Sequence, residues 1–208
     1  MSADARRLPA SATDAGRVPY RFTAAQILKM SDGEVFGGDD VELWDGVVYK
    51  MVKGELHNAI VGRTAELIRP LVPGGYHLRE EKSSSSRDDT LPEPDVAVCR
   101  GSLFDSLPLP PPLSKLAMVV EVSISSHRAD SGEKPRRYAG AGIPVYWQVD
   151  GIGQVVRVRT VPTPTGEGVG RYAKSRLFGV GKTLPIVIDG EEVGRIAVSS
   201  LFPPQGAP

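Results

Sequence analysis

Two carboxylates that interrupt apolar segments place the strongest constraint on how this chain folds. Asp95 lies in Pro94-Asp95-Val96-Ala97-Val98, and Glu121 lies in Val119-Val120-Glu121-Val122-Ser123. Both segments have the composition of buried β-strands, where a carboxylate is costly unless a partner group pairs with it. Two such carboxylates on neighbouring strands would repel each other unless a cation lay between them. The pattern therefore predicts a metal site, and Lys134 adds a group nearby that can polarise a phosphate or a water.

The length of 208 residues, with 40% hydrophobic and 24% charged residues, predicts one globular domain over residues 20–202. Lysine plus arginine and aspartate plus glutamate each number 25, so any nucleic-acid-binding surface must be a local patch. The single cysteine, Cys99, excludes an internal disulfide and a multi-cysteine zinc site. Residues 1–19 lack the apolar core of a signal peptide, and no apolar run is long enough to span a membrane. We therefore expect a disordered tail at 1–19, a short tail at 203–208, and a cytoplasmic protein.

Hydrophobic patterning in the first part of the chain predicts two helices and a hairpin. Thr23 is suited to cap a helix over residues 24–30. Asp45-Gly46 between two apolar runs predicts a β-hairpin over residues 41–51. Apolar residues at helical spacing predict a second helix over residues 55–71.

The rest of the chain predicts a sheet with one crossover helix. The strand at 117–122 is the most apolar and should be central. A helix over residues 131–141 and a strand over 145–149 form a β–α–β unit with it. Further segments with strand character are 76–82, 96–99, a hairpin of 155–161 and 171–180 joined by a loop at 162–170, and 186–188. The two carboxylates then lie on consecutive core strands, where hard oxygen ligands suit magnesium or manganese. A structural ion pair between Glu121 and Lys134 explains the same residues without a metal, and both interpretations remain open.

Several segments together resemble one prokaryotic family. They are residues 42–49, His57, 92–98, 121–123, Asp130, Lys134 and 138–147. These segments are similar to restriction endonucleases of Uma type, in the PD-(D/E)xK nuclease superfamily, over about residues 20–202. The resemblance implies an α/β fold of the restriction-endonuclease-like type. Its mixed central sheet would be flanked by helices, with additional N-terminal and C-terminal β-hairpins.

The resemblance also implies roles for individual residues. Asp95 resembles the metal-binding aspartate of the family, and Glu121 resembles its second carboxylate. Ser123 stands where a simple Glu-x-Lys spacing would need lysine. Lys134 resembles the lysine that this family carries on the following helix.

Three more residues occupy family positions and keep alternative interpretations. Glu42 is either a further ligand or a hairpin residue paired with Lys50 or Lys53. His57 either contacts substrate or transfers a proton, or it is a helix-cap or solvated histidine. Asp130 matches a family position but also suits the N-cap of the helix that follows, which is the interpretation we favour.

A basic cluster near the predicted helix suits DNA binding. Arg128, Arg136 and Arg137, with His127 beside them, either meet phosphates or form a solvated helix face. The function expected from these observations is a Mg²⁺-dependent (or Mn²⁺-dependent) nuclease that hydrolyses phosphodiester bonds in DNA, acting as a homodimer. The alternative is a non-catalytic nucleic-acid-binding or assembly module that retains the fold, and RNA or a nucleotide remains an alternative substrate.

Overall fold

A computed structural model describes residues 18–124, 132–166 and 168–204. Its centre is a six-stranded sheet. In spatial order its strands are β3 (Tyr76–Glu80), β4 (Val96–Arg100), β5 (Leu116–Ser123), β6 (Val145–Asp150), β7 (Val155–Gly166) and β8 (Val169–Gly179). The β5–β6 pair is parallel and the other pairs are antiparallel. The predicted mixed sheet is therefore confirmed, with β5 in its interior.

The N-terminal elements form for local reasons that the sequence already indicated. Helix α1 (Ala24–Asp32) begins with a capping box, in which Thr23 Oγ1 accepts from Gln26 N and the Gln26 side chain accepts from Thr23 N. Strands β1 (Val41–Trp44) and β2 (Val47–Lys50) form the predicted hairpin. Asp45 and Gly46 both have positive φ, at 48° and 77°, which is the conformation that a two-residue type I′ turn requires.

The sheet buries a separate core on each face. Val96, Val98 and Val120 point to the face covered by α2 (Glu55–Ile68) and by the C-terminal hairpin of β9 (Thr183–Ile188) and β10 (Glu191–Ala197). Ala97 and Val119 point to the opposite face, where they pack with Tyr138 of helix α3 (Glu133–Gly140). Helix α3 is the crossover between the parallel strands β5 and β6, as the pattern predicted.

The predicted loop at residues 162–170 is wrong, because β7 and β8 continue through most of it. Strand β6 pairs with β7 only as far as Thr160, so the residues beyond have β8 on one side and no strand on the other. Pro162 and Pro164 are tolerated there, since the amide hydrogen that proline lacks is not needed on the open side. The resemblance implied a C-terminal β-hairpin, and β9 and β10 form one. The residue pattern alone did not predict β10, because its charged residues and Gly194 hide the alternation. In the described part of the chain, no helix has the length and apolar character needed to cross a membrane.

Candidate metal centre

The strand registers place the two constraining carboxylates side by side. Val96 of β4 pairs with Val120 of β5, and continuing that antiparallel register by one residue sets Asp95 opposite Glu121. Residues paired in this way project from the same face of a sheet. Asp95 and Glu121 are both buried, at 3% and 8% exposure, on the face that α3 covers. The two carboxylates are therefore neighbours on one face of the sheet.

Asp95 is held on its Oδ2 atom by two groups. The Val122 amide donates to it at 2.6 Å, and His57 Nε2 lies 3.3 Å away. Burial acts to lower the pKa of His57, but the hydrogen bond and charge of Asp95 outweigh it and raise the pKa above its ordinary value. Among the described residues, the hydrogen bonds of Asp95 all fall on Oδ2, which leaves Oδ1 available to a cation.

Glu121 is held on both carboxylate oxygens. Lys134 Nζ donates to Oε2 at 2.8 Å, and the Tyr138 hydroxyl donates to Oε1 at 2.8 Å. Both donors come from α3, so the helix that links β5 to β6 folds back over the carboxylate. Burial raises the pKa of Glu121, while the charge of Lys134 opposes that shift. Burial also acts against the charge of Lys134, but the carboxylates outweigh it and raise its pKa.

Glu42 is the second carboxylate that holds Lys134. Its Oε1 lies 3.0 Å from Lys134 Nζ and accepts from the Glu93 amide at 3.1 Å, and its Oε2 accepts from Trp44 Nε1 at 3.2 Å. The expected alternative pairing of Glu42 with Lys50 or Lys53 does not occur. Lys50 contacts Asp39, and Lys53 contacts Asp40, Glu81 and Glu93. Glu42 is therefore part of the site in which Lys134 lies, and not a hairpin ion pair.

A cavity of about 230 Å³ opens among these side chains. The predicted site residues all line it, namely Glu42, His57, Asp95, Glu121 and Lys134. They come from five segments of the chain, so the fold brings together what the sequence keeps far apart. The predicted interpretation of Glu121 and Lys134 as an ion pair is also correct as a description of contact.

The structure describes two arginines of the predicted basic cluster, Arg136 and Arg137. Arg136 is exposed, whereas Arg137 donates to Asp45 and Glu133 and stacks over the Trp44 ring at 5.0 Å from its centroid. Arg137 thus fixes the β1–β2 turn to α3 with a charge that two carboxylates already balance. Arg128, His127 and Asp130 lie outside the described residues.

Sequence reasoning missed Glu81, which joins the site from the end of β3. The ligating atoms of His57, Glu81 and Asp95 all lie within 4.8 Å of one another. The Glu81 amide donates to the Asp95 carbonyl at 3.0 Å, which continues the β3–β4 register to the row that contains Asp95. Glu81 has a φ of 46°, an uncommon conformation for a residue other than glycine. The sequence around Glu80-Glu81-Lys82 contains no feature that predicts this conformation.

Tyr138 was also missed as a site residue. It stood inside the segment 138–147 that carried the family resemblance, but it was given no role of its own. The ring does pack in the core, 6.1 Å from Trp44 and 5.7 Å from Tyr146, centroid to centroid. The hydroxyl nevertheless reaches Glu121, because a buried phenol needs a hydrogen-bond partner.

The donor set fits a hard divalent cation. Asp95 and Glu121 offer carboxylate oxygens on neighbouring strands, which is the ligand chemistry that magnesium and manganese prefer. Glu81 and His57 add further ligating atoms around Asp95.

The fold and this cluster define a restriction-endonuclease-like α/β protein, as the sequence motifs predicted. Residues 25–187 match the Uma2 family, whose description is "Putative restriction endonuclease". Since the match spans well over half of the chain, the protein belongs to this family. The family and the fold together support a nuclease.

A comparison of structures agrees with this assignment of the fold. The chain is similar to the crystal structure of a putative nuclease belonging to DUF820 from Anabaena variabilis ATCC 29413, with a TM-score of 0.58 at 15% sequence identity. The similarity covers 77% of this chain and 88% of that chain. No curated protein matches the sequence.

Proposed function

We propose that this protein is a magnesium-dependent nuclease that hydrolyses phosphodiester bonds in DNA. The observation that carries the proposal is the placement of Asp95 and Glu121 side by side on one sheet face, with the ammonium group of Lys134 at 2.8 Å from Glu121. Manganese is the alternative cation, because it takes the same ligands.

Each residue of the cluster has a role in this proposal. Asp95 and Glu121 hold the cation, which supplies an activated water and balances charge on the phosphate when it is bound. Lys134 stays protonated, because its pKa is raised, so it acts as a charged donor and not as a base. It therefore orients the water or offsets negative charge that develops on the phosphate. His57 orients Asp95 through their contact at 3.3 Å.

The test is cleavage of supercoiled plasmid DNA by the purified protein with Mg²⁺, Mn²⁺ or EDTA. Asp95→Asn should lower the cleavage rate by about two orders of magnitude, because it removes one of the two carboxylate charges that hold the cation. Asp88→Asn is the matched control, since Asp88 is exposed and lies away from the cavity. Cleavage that persists in EDTA, or that Asp95→Asn leaves unchanged, would overturn the proposal.

A second candidate function is a non-catalytic binding or assembly module. The observation in its favour is that Lys134 already pairs with Glu121 and Glu42, so that part of the cluster is satisfied without a metal. Calorimetric titration with Mg²⁺ distinguishes the two functions. Heat of binding that disappears in Asp95→Asn supports the nuclease, whereas no binding by the wild-type protein supports the module.

RNA and nucleotides are tested in the same cleavage assay as alternative substrates. Cleavage of RNA without cleavage of DNA would change the substrate and keep the chemistry. The predicted homodimer is a separate proposal, motivated by the need to cut two strands, and sedimentation velocity measures it directly.

A further inference from the structure

The row of paired residues that contains Asp95 and Glu121 continues into a basic surface. Glu121 pairs with Gln148 of β6, and Gln148 pairs with Arg157 of β7. Since paired residues project from the same face, Arg157 lies on the face that carries the two carboxylates. With neighbouring strands about 4.8 Å apart, Arg157 is about 10 Å from Glu121 along this row.

Arg159 adds a second positive group on the same face, and its position is fixed. Its Nη1 donates to Gln148 Oε1 at 2.9 Å, and its guanidinium stacks over Tyr146 at 5.6 Å from the ring centroid. Tyr146 and Gln148 both line the cavity that contains Asp95 and Glu121. The basic surface therefore begins where the cavity ends.

The protein does not balance the charge of these two arginines in its described part. Arg63 and Arg100, by contrast, are held by carboxylates, those of Glu66 and Asp189. Within residues 18–124, 132–166 and 168–204, neither Arg157 nor Arg159 makes an ion pair. Burial lowers the pKa of Arg159, as expected for a half-buried guanidinium that makes no ion pair within the described residues.

We propose that Arg157 and Arg159 bind backbone phosphates of the nucleic-acid strand, next to the phosphodiester bond that is cleaved at Asp95 and Glu121. This inference rests on the proposed nuclease function and names the surface that holds its substrate. Residues two apart on a strand are about 6.7 Å apart, so the two guanidinium groups meet separate phosphates. Guanidinium is also the side-chain group best shaped to bind a phosphate through paired hydrogen bonds.

The same reasoning moves the main phosphate contact from α3 to β7. Arg137, which the sequence placed in the basic cluster, already donates to Asp45 and Glu133. Its charge is therefore largely balanced by carboxylates of the protein. Arg157 is exposed and Arg159 is half-buried, so both reach a ligand on the open face.

The experiment compares two double variants of the β7–β8 hairpin that each remove two positive charges. Arg157→Gln with Arg159→Gln removes the proposed contacts. Lys174→Gln with Arg176→Gln is the matched control, because these residues pair with Thr160 and Val158 and therefore project from the opposite face. Binding is measured by fluorescence anisotropy of a fluorescein-labelled DNA duplex in Ca²⁺, across a salt series from about 50 to about 200 mM.

Loss of two phosphate contacts should weaken binding at low salt by about tenfold and reduce the salt slope of log K by about 2. The control pair should change the affinity by less than about threefold, because its charges do not touch the strand. Arg157→Gln alone is the second variant, since its exposed side chain can be changed without disturbing the stack on Tyr146. It should reduce the slope by about 1.

The outcomes separate this inference from the proposed function. If the wild-type protein binds the duplex and the Arg157 and Arg159 variants bind equally well, the inference fails and the nuclease proposal stands. Equal weakening by both double variants also overturns it, because the effect is then one of net charge. A wild-type protein that binds no duplex at low salt overturns both.

Discussion

Lys134 lies 13 residues after Glu121 in the chain, yet its Nζ atom is 2.8 Å from Glu121 Oε2. The simple spacing, in which lysine would stand two residues after the glutamate, is absent because Ser123 occupies that position. The first turn of α3 supplies the ammonium group instead, and it does so from above the sheet. Glu121 therefore has an ammonium group beside it, although the lysine that provides this group lies on a helix and not on the same strand.

Removing this ammonium group should impair cleavage far more than metal binding. Lys134→Ala should lower the single-turnover cleavage rate by about two orders of magnitude, because the charge that stabilises the reacting phosphate is lost. The affinity for Mg²⁺ should change much less, because lysine is not a ligand of the cation. The substitution should also destabilise the metal-free protein by about 3 kcal/mol, because Glu42 and Glu121 are left buried without their cation. Stopped-flow cleavage, Mg²⁺ calorimetry and thermal melting measure the three quantities. An unchanged rate in a folded variant would remove Lys134 from the chemistry.

Tyr138→Phe tests the other donor to Glu121. It should cost about 2 kcal/mol of unfolding free energy, since a hydrogen bond to a buried charged group is lost while the ring remains. Tyr172→Phe is the matched control, because the Tyr172 hydroxyl donates at 3.0 Å to a neutral carbonyl, that of Ile143. Its expected cost is about 1 kcal/mol. Equal costs in urea denaturation would show that the Glu121 contact carries no special energy.

Close approach of α3 to the β7–β8 turn should make Gly140 intolerant of a side chain. A Cβ at Gly140 would lie 2.7 Å from the carbonyl carbon of Val169 and closer still to Gly168. Gly140→Ala should therefore cost about 2 kcal/mol and reduce cleavage, because α3 also carries Lys134. Gly62→Ala in α2 meets nothing within 4 Å and should instead stabilise the protein by about 0.5 kcal/mol. Thermal melting that shifts both variants in the same direction would contradict this interpretation.

Acid stability should depend on the ion pair between Arg100 and Asp189. The hydrogen bond from Arg100 lowers the pKa of Asp189 below its ordinary value of 3.8. Because the pKa is lower in the folded state, the stabilisation is present above pH 3.8 and is lost as the pH falls through the folded value. The pair is partly exposed, so solvent screening keeps the contribution below about 1 kcal/mol.

Asp189→Asn is the variant that isolates this ion pair. Asparagine tolerates the positive φ of 47° at this turn, so the backbone is kept while the charge is removed. Urea denaturation at neutral pH should show a small loss relative to the wild type, and the difference should vanish as the pH falls through the folded pKa of Asp189. A difference that is constant with pH would assign the effect to the turn and not to the charge.

The parts of the fold that the sequence predicted are those fixed by local chemistry. Asp45-Gly46 predicts its hairpin because both positions need positive φ, and the apolar spacing after Gly54 predicts α2. The β5–α3–β6 unit follows from an apolar strand, a helix that ends before Pro144, and a second strand. Residues 162–170 were misjudged because the tolerance of a proline depends on whether a third strand lies beside it, which is a tertiary property.

The candidate site divides in the same way. Asp95 and Glu121 were predicted because a charged residue is unexpected in an apolar strand, so the sequence of each segment alone draws attention to it. Glu81 and Arg157 look ordinary in theirs, since a polar residue at a strand end or on an alternating strand needs no explanation. Only the registers of β3 with β4 and of β6 with β7 bring them into the row of Asp95.

The contact between Lys134 and Glu42 joins residues 92 positions apart. During synthesis Glu42 therefore leaves the ribosome long before its partner exists, and the β1–β2 hairpin has no α3 to dock against. A truncated or proteolysed chain that ends before α3 keeps the carboxylates of the site but lacks the ammonium group of Lys134 and the β6 strand beside Glu121. Any chemistry that needs the whole cluster is thus a property of the finished polypeptide alone.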